Sequence, residues 1–513
     1  MMTYFPKKDS LIILSYLFCF LFCLINDASA EEFIRVKAVI GVNSNVSAGT
    51  CSIDQLAKYA KESNVSVLIL TDQALARGEF GIWPFRMLIR KVREKDSILK
   101  FGAQRYLDLI GKANKENPQV LIIPGCEVAP FYWWKCSFLK GELTVHDWSK
   151  QLIVIGLDNA SDYRNLPTIS NKYKKLKYGF KSLVQLWPIF TLFLGIYLFR
   201  KKKFEYVDDL GRDFSCINFL ARGTSIIVII ISTMSLINNF PFTVPAEFDP
   251  YHGDKKILPY QRLIDYANLH NALSFWLSVE SCVQNNIAGI HFSTLSHKED
   301  LFDSSGYTGF SVIYGDSRTM HKAGAEWDEL LNEYCLGQRD RAVWGIGETG
   351  FQGEGEIDYI HNVLFLKEFN KNEVLDALKK GRLYAIWGNK NEVILTEFSI
   401  KNNKTNQIAY MGGELHVDVK ARDSAENSLI NSDQLFNDIN INIKGYRPNI
   451  DRSPVKIRLI KNGQLFKIFE TGEEKFEFQI RDDVPRDRIK SFYRLLIDSP
   501  SEIVSNPIFV KRK

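Results

Sequence analysis

Three carboxylates stand where apolar runs give way to polar residues: Asp72 after the run from Val65 to Leu70, Glu127 after the run from Gln119 to Ile123 and Pro124-Gly125-Cys126, and Glu348 after the run from Arg341 to Gly347. A carboxylate at the end of a buried strand can serve as a general acid or base, hold a divalent cation, or act as a hydrogen-bonding strut. Asp249, His252 and Asp254 form a second group, compact enough to ligate a metal, although D-P-Y-H-G-D also reads as a turn. Glu280, His291 and His297 form a third. The sequence has no Gly-rich phosphate loop, G-x-S-x-G elbow or H-E-x-x-H, so the enzyme classes that they mark are without support.

The elements that must carry these groups alternate in type. Phe33 to Val42 predicts a buried first strand, and Ser52 predicts the cap of a helix whose Leu56, Tyr59 and Ala60 recur at helical spacing. Strands are expected at 65–70, 119–123 and 152–157, then a helix over 260–268, a strand from Leu273 toward Glu280, and a closing strand before Glu348. A short helix over 372–380 is stopped by Gly381. This order is that of an α/β chain.

The loop from Val39 to Gly49 sharpens the reading. Strand, loop, helix and strand together resemble the opening of the polymerase and histidinol phosphatase (PHP) family, whose pattern is D-x-H-x-H-x-x-x-S-D-G, a helix, and a strand closing in T-D-H. Ser47, Gly49, Thr71 and Asp72 fall in the family's places, and Pro124-Gly125-Cys126-Glu127 resembles its P-G-x-E. The ligand positions differ. Val39, Gly41, Asn43 and Ala48 stand where the family has Asp, His, His and Asp, and Gln73 replaces the His of T-D-H. Gln151 is the nearest candidate for the ligand His that introduces a later strand, with His146 a few residues upstream. Ser278 stands for the His of A-H-P, and Gly350 and Gln352 for the two ligands of D-x-H. Only Glu127 keeps a ligand type.

The resemblance implies a PHP-like distorted (β/α)7 barrel, in which two or three divalent metals would activate a hydroxide. With framework residues kept and ligands lost, no catalytic residue and no metal or other cofactor is expected. If the chain is active after all, the resemblance implies divalent Mn, Zn or Fe on substituted ligands. Asp72, Asp249, His252, Asp254, Glu280 and Glu348 remain as candidate pocket residues.

The chain has 513 residues, enough for two or three domains, with 45% hydrophobic and 24% charged residues, a folded composition. A net charge of +5 gives no case for a nucleic-acid partner. Eight cysteines show neither C-x-x-C spacing nor a regular framework, and a Cys126–Cys136 bridge is open if the domain is exported. Residues 1–30 predict a signal peptide or an N-terminal anchor.

Two apolar runs, 183–199 and 224–242, each near the lower end of the roughly 17 to 25 residues that cross a bilayer, predict a transmembrane hairpin over 181–244 around a short polar loop. Trp187 and Tyr197 suit interfacial positions, while basic residues crowd both ends of the first run. Export would place residue 31 onward outside, and two crossings return the chain to that side. The barrel is therefore expected in two parts, 31–180 and 245–391, on the extracytoplasmic side of a bacterial inner membrane. From 392 to 513 the alternation, with a hairpin at Lys461-Asn462-Gly463-Gln464, predicts an all-β sandwich. The aromatic run Phe131-Tyr132-Trp133-Trp134 reads as membrane-surface, pocket or core residues. The leading expectation is a non-catalytic protein that binds a small-molecule or protein ligand in the barrel cleft, or serves as a scaffold. The alternatives are a metal-dependent phosphoesterase-type hydrolase of the cell envelope, or a structural subunit paired with an intact homologue.

Overall fold

From Ala38 to Val42 every side chain of the strand Ile34–Val42 is buried, as in a strand covered on both faces. Its neighbours account for this. Val67–Leu70 lies parallel on one side, with Leu121–Ile123 parallel beyond it, and Ile360–Leu366 lies antiparallel on the other. The computed structural model describes residues 33–137, 142–201, 203–207, 209, 211–217, 219–244, 246–315, 318–388, 393–417, 438–448, 454–483, 488–498 and 501–512. The expected signal segment, 1–30, lies outside them.

A second sheet runs in the order Trp344–Gly347, Gly309–Ile313, Leu273–Trp276, Leu152–Ile155, Gly125–Val128. Leu152–Ile155 is antiparallel to both of its neighbours. Both edges of the second sheet approach the first: Leu121–Ile123 continues through Pro124 into Gly125–Val128, and Val42 bridges Phe351 just beyond Trp344–Gly347. Ala38, Ile40, Ile69, Ile153, Phe275 and Ile346 share one apolar cluster, while Val39, Leu68, Val154 and Trp276 join a second with the helices. That division is the two-residue period of the strands. Helix Ile53–Glu62 starts at Ser52 with a complete capping box through Gln55, and Lys371–Lys380 ends at Gly381 in the left-handed region.

One edge is completed in an unusual way. Trp344–Gly347 pairs with Gly309–Ile313 on one side, and on the other its backbone is satisfied by two asparagine amides. Asn506 accepts from Gly345 N at 2.8 Å and donates to its carbonyl at 3.0 Å; Asn362 does the same for Gly347 at 2.7 and 2.8 Å. Both amides are buried.

The first sheet does not stop at residue 391. Leu383–Trp387 pairs with Glu502–Ser505, and the sheet continues through Lys490–Ile497 and Ile508–Arg512 to Glu414–Val417. Val455–Lys461 and Gln464–Thr471 form the expected hairpin, with Asn462 and Gly463 both at positive φ. A four-stranded sheet, Ile408–Tyr410, Ile394–Asn402, Ile439–Tyr446 and Lys475–Asp482, shares an apolar cluster with this extension.

Two helical stretches of 21 residues, Phe180–Arg200 and Phe219–Asn239, are long and apolar enough to cross a membrane, and only 17% and 11% of their most apolar windows are buried. They meet through a Ser232–Thr191 hydroxyl contact of 2.8 Å and at Gly195, where a Cβ would lie 2.9 Å from Ile229. The connection between them is more than a short polar loop, since Lys203–Val207 and Asp213–Ile217 pair antiparallel. The open Cys126–Cys136 bridge does not form: Cys126 is buried, Cys136 exposed, and both are free.

Lys490–Ile497 departs from the alternation seen in the sequence, because helix Glu326–Cys335 covers its second face. There the fully buried Arg494 forks onto Asp328 at 2.6 and 2.8 Å. Asp328→Ala strands that guanidinium and is expected to cost about 3–5 kcal/mol. The double replacement Asp328→Leu with Arg494→Met, which removes both charges, should cost much less. Urea titration of the detergent-purified chain, followed by tryptophan fluorescence, compares them.

Candidate functional site

The strand ends that face the same way as Val42 and Leu70 bring together residues from the loop after the first strand, the end of the second, and the strands carrying Glu127 and Glu348. Asp72, fully buried, is the centre of the first contact set. Its Oδ1 accepts from Ser44 N at 2.8 Å and Ser47 Oγ at 2.6 Å, and its Oδ2 accepts from Ser44 Oγ at 2.8 Å. Burial raises its pKa, and these serine donors pull it back toward the ordinary carboxylate range. Gly49 is required by the same loop, since a Cβ there would sit 2.0 Å from the Asn43 carbonyl oxygen. The Tyr106 hydroxyl donates to Gly125 O at 3.2 Å and lies beside Asp72.

Glu127 and Glu348 form the second set. Thr71 Oγ1 donates to Glu127 Oε1 at 3.1 Å, Asn43 Nδ2 donates to Thr71 O at 2.9 Å, and the Asn43 side chain also hydrogen-bonds Glu127. Burial, and then the neighbouring Glu348, push the Glu127 carboxyl up to about 8. Burial lifts Glu348 to about 7 against one opposing backbone donor, Gly350 N–H. At neutral pH the pair therefore retains protons. Glu348 also fills the space over Gly41, whose φ is +92°: a Cβ at Gly41 would lie 2.5 Å from Glu348 Oε1. The bonds Thr349 N to Ile40 O and Phe351 N to Gly41 O, both 2.9 Å, hold the two segments together.

The remaining sequence candidates are placed as follows. Gln73 bridges Glu127 through the backbone. The Gln151 carbonyl accepts from Leu277 N, and Ser278 N donates to Ser311 Oγ at 2.9 Å. Val39 packs in the outer apolar cluster, and Ala48 and Gln352 are exposed, the latter accepting from Thr50 N through its carbonyl. Glu280 is held by Thr319 N and Oγ1 at 2.8 and 2.6 Å. Asp249 and His252 pair with each other at 2.8 Å, Asp249 also takes Arg86 at 3.4 Å, and Asp254 caps Lys256 N. His297 is buried with its pKa pushed down to about 4, and exposed His291 sits on Ile290–Thr294. Phe131, Tyr132 and Trp134 are core residues; Trp133 stacks on His146 at 4.0 Å.

Sequence reasoning did not single out Ser44, Tyr106 or Lys150. Lys150 is buried, paired with Asp300 and 4.4 Å above the Tyr260 ring, and a lone lysine before a strand carries no signal that would have found it.

No family model matches the chain, and neither does any curated protein. Solved structures do match, two of them as follows. One is a two-domain protein from Bacteroides vulgatus containing a predicted PHP-like metal-dependent phosphoesterase, 10% identical over 90% of each chain, with a TM-score of 0.35. The other, from Bifidobacterium adolescentis, is named for a metal-dependent phosphoesterase and is 10% identical over 62% of this chain and 88% of its own, with a TM-score of 0.26. The chain is similar to PHP-like phosphoesterases. At these TM-scores neither superposition carries residues or chemistry across.

A PHP-like metal cluster needs lone pairs aimed inward at each corner. Here the Asn43 amide donates to the Thr71 carbonyl, the Thr71 hydroxyl donates to Glu127, and the Asp72 oxygens are taken by three donors. Among the described residues no group of three or more His, Cys, Asp or Glu is arranged to hold a metal ion. The residues present do not fit a cluster of two or three metals.

The raised pKa values have a consequence for stability. In the unfolded chain both glutamates titrate near 4.5, so between about 4.5 and about 8 the folded state binds more protons. Their contribution is complete below the unfolded value and is lost as the pH climbs through the folded ones. Thermal unfolding of Glu127→Gln/Glu348→Gln by circular dichroism should therefore show a smaller fall in Tm between about pH 5 and about pH 8.5 than the parent chain.

Proposed function

We propose that this chain is a membrane-anchored, PHP-like protein without metal-dependent catalysis, which binds a ligand at the mouth around Glu127 and Glu348 or serves there as a scaffold. On this reading the two sheets close as a distorted (β/α)7 barrel, the hairpin 181–244 crosses the inner membrane, and residues 392–513 add a β-sandwich on the extracytoplasmic side. The observation that carries it is the donor set. Asn43 and Thr71 direct hydrogens at the place where ligand lone pairs would be needed, and Glu348 occupies the space above Gly41.

The mouth chemistry also narrows the ligand. A pair of carboxyls that retains protons near neutrality, with serine and threonine hydroxyls and an amide, favours a neutral polar group that both donates and accepts hydrogen bonds.

One observation favours a hydrolase instead. Carboxyls lifted to about 8 and about 7 are tuned as a general acid and base would be, and a single Mn, Zn or Fe ion could displace their protons. Metal content separates the two. The detergent-purified chain, dialysed against manganese, zinc and iron salts and analysed by mass spectrometry, is expected to carry far less than one ion per chain, unchanged in Glu127→Ala. A stoichiometric ion that is lost in Glu127→Ala would overturn the non-catalytic reading.

A further inference from the structure

The chain leaves the mouth through Gln73 and at once builds a two-stranded hairpin, Arg77–Gly81 and Arg90–Glu94. Its turn is Ile82-Trp83-Pro84-Phe85-Arg86-Met87-Leu88-Ile89, an almost wholly apolar sequence. The turn is ordered by its own backbone, with Ile82 N donating to Ile89 O at 2.9 Å and Ile89 N to Phe85 O at 2.7 Å. It nevertheless points its apolar groups outward: Trp83 is 76% exposed, and Ile82, Met87, Leu88 and Ile89 are all exposed. A contiguous apolar patch of this kind on a soluble surface is a marker of an interaction site.

The occupant is indicated by what the turn touches. Met87 N and Leu88 N donate to Asn238 Oδ1 at 2.8 and 3.3 Å. Asn238 lies one residue before the end of the apolar helix Phe219–Asn239. This is the end at which the two apolar helices are tied by polar groups, Asn239 Nδ2 donating to Gln185 O at 2.7 Å. If the helices cross a bilayer, this polar end lies at the headgroup level, and two hydrogen bonds fix the turn at the same depth. Exposed Trp187 and Tyr178 flank the end as an aromatic belt would, and Arg90, Lys91 and Arg93 stand exposed on the outgoing strand, where lipid phosphates would be. The base of the turn is rigidly attached to the protein: Arg86 packs over the Tyr251 ring at 4.1 Å, and Gly81 N donates to Tyr251 OH at 2.6 Å.

We infer that the 82–89 turn is a third membrane-embedded element, lying in the boundary between headgroups and acyl chains of the bilayer that the helices span. This rests on the membrane-spanning reading of the two helices, and the test keeps the two apart. The full chain, with Cys19, Cys23, Cys136, Cys216 and Cys282 replaced by Ser, is spin-labelled singly through Met87→Cys, Phe193→Cys or Ile489→Cys. Each form is reconstituted into nanodiscs of phosphatidylcholine and phosphatidylglycerol. Accessibility to oxygen and to a water-soluble nickel chelate is then read by electron paramagnetic resonance. The expected result is oxygen accessibility several-fold above nickel accessibility at 87, as at 193 on the first helix, with the reverse at exposed 489, just before the strand Lys490–Ile497. Nickel-dominated accessibility at 87 with oxygen-dominated accessibility at 193 would overturn the embedded turn and leave the anchor standing. Nickel-dominated accessibility at 193 would overturn the anchor, and the inference with it.

Discussion

A carboxylate with no exposure has to be stabilised by the groups around it, and Asp72 sets the arrangement of the mouth through the hydrogen-bond donors that it gathers. Its three donors come from Ser44 and Ser47, so the loop after the first strand must fold down onto the end of the second. Once it does, Asn43 is turned toward Thr71 and Glu127, and the close approach at Gly49 leaves no room for a side chain. The tight backbone return at Gly41 then opens the space that Glu348 enters. A metal-binding loop would have the opposite polarity, with its lone pairs directed inward and its donors directed away.

The framework of this loop was legible because Ser47, Gly49 and Asp72 are fixed by contacts between neighbouring strands, and such contacts leave recognisable residue types. The way the space beside it is filled was not. Glu348 reaches Gly41 only because distant segments are paired, and nothing in either local sequence announces it. Glu280 and the Asp249, His252 and Asp254 group looked equally suitable as sequence, yet Glu280 turns to the distant Thr319, and the others turn to near neighbours or to Arg86. A carboxylate in a loop satisfies its nearest donor first, and spacing alone does not say which that is. Strand faces were legible where one side meets solvent, as at the Asn462-Gly463 hairpin. They failed at Lys490–Ile497, where a helix far away in sequence buries Arg494 on what would otherwise be the outer face.

The two asparagines beside Trp344–Gly347 tie the C-terminal sheets to the mouth. Asn506 belongs to the last turn of the chain and Asn362 to the strand before the boundary expected from sequence, yet both act as a missing strand for the segment that carries Glu348. An unpaired, buried strand edge would cost several unsatisfied backbone groups. The C-terminal sheets therefore stabilise the position of Glu348 as well as their own core. Changes in residues 501–512 can act on the mouth without touching a ligand.

Geometry also bears on where a ligand would come from. Ile82 at the exposed turn lies only nine positions after Gln73 at the mouth, a span of at most about 30 Å even when fully extended. Part of that span is a strand whose Glu79 is bonded to Tyr132 and Trp134, so the linkage is rigid. On the membrane-spanning reading of the apolar helices, a mouth held that close to them samples a thin layer of solvent over a lipid surface, where basic side chains and anionic headgroups change local concentrations. For a binding site without a metal, affinity has to come from the match of hydrogen bonds and charge. On that reading a neutral polar group presented at the surface meets both conditions: it suits carboxyls that keep their protons near neutrality, and it need not leave the membrane to arrive.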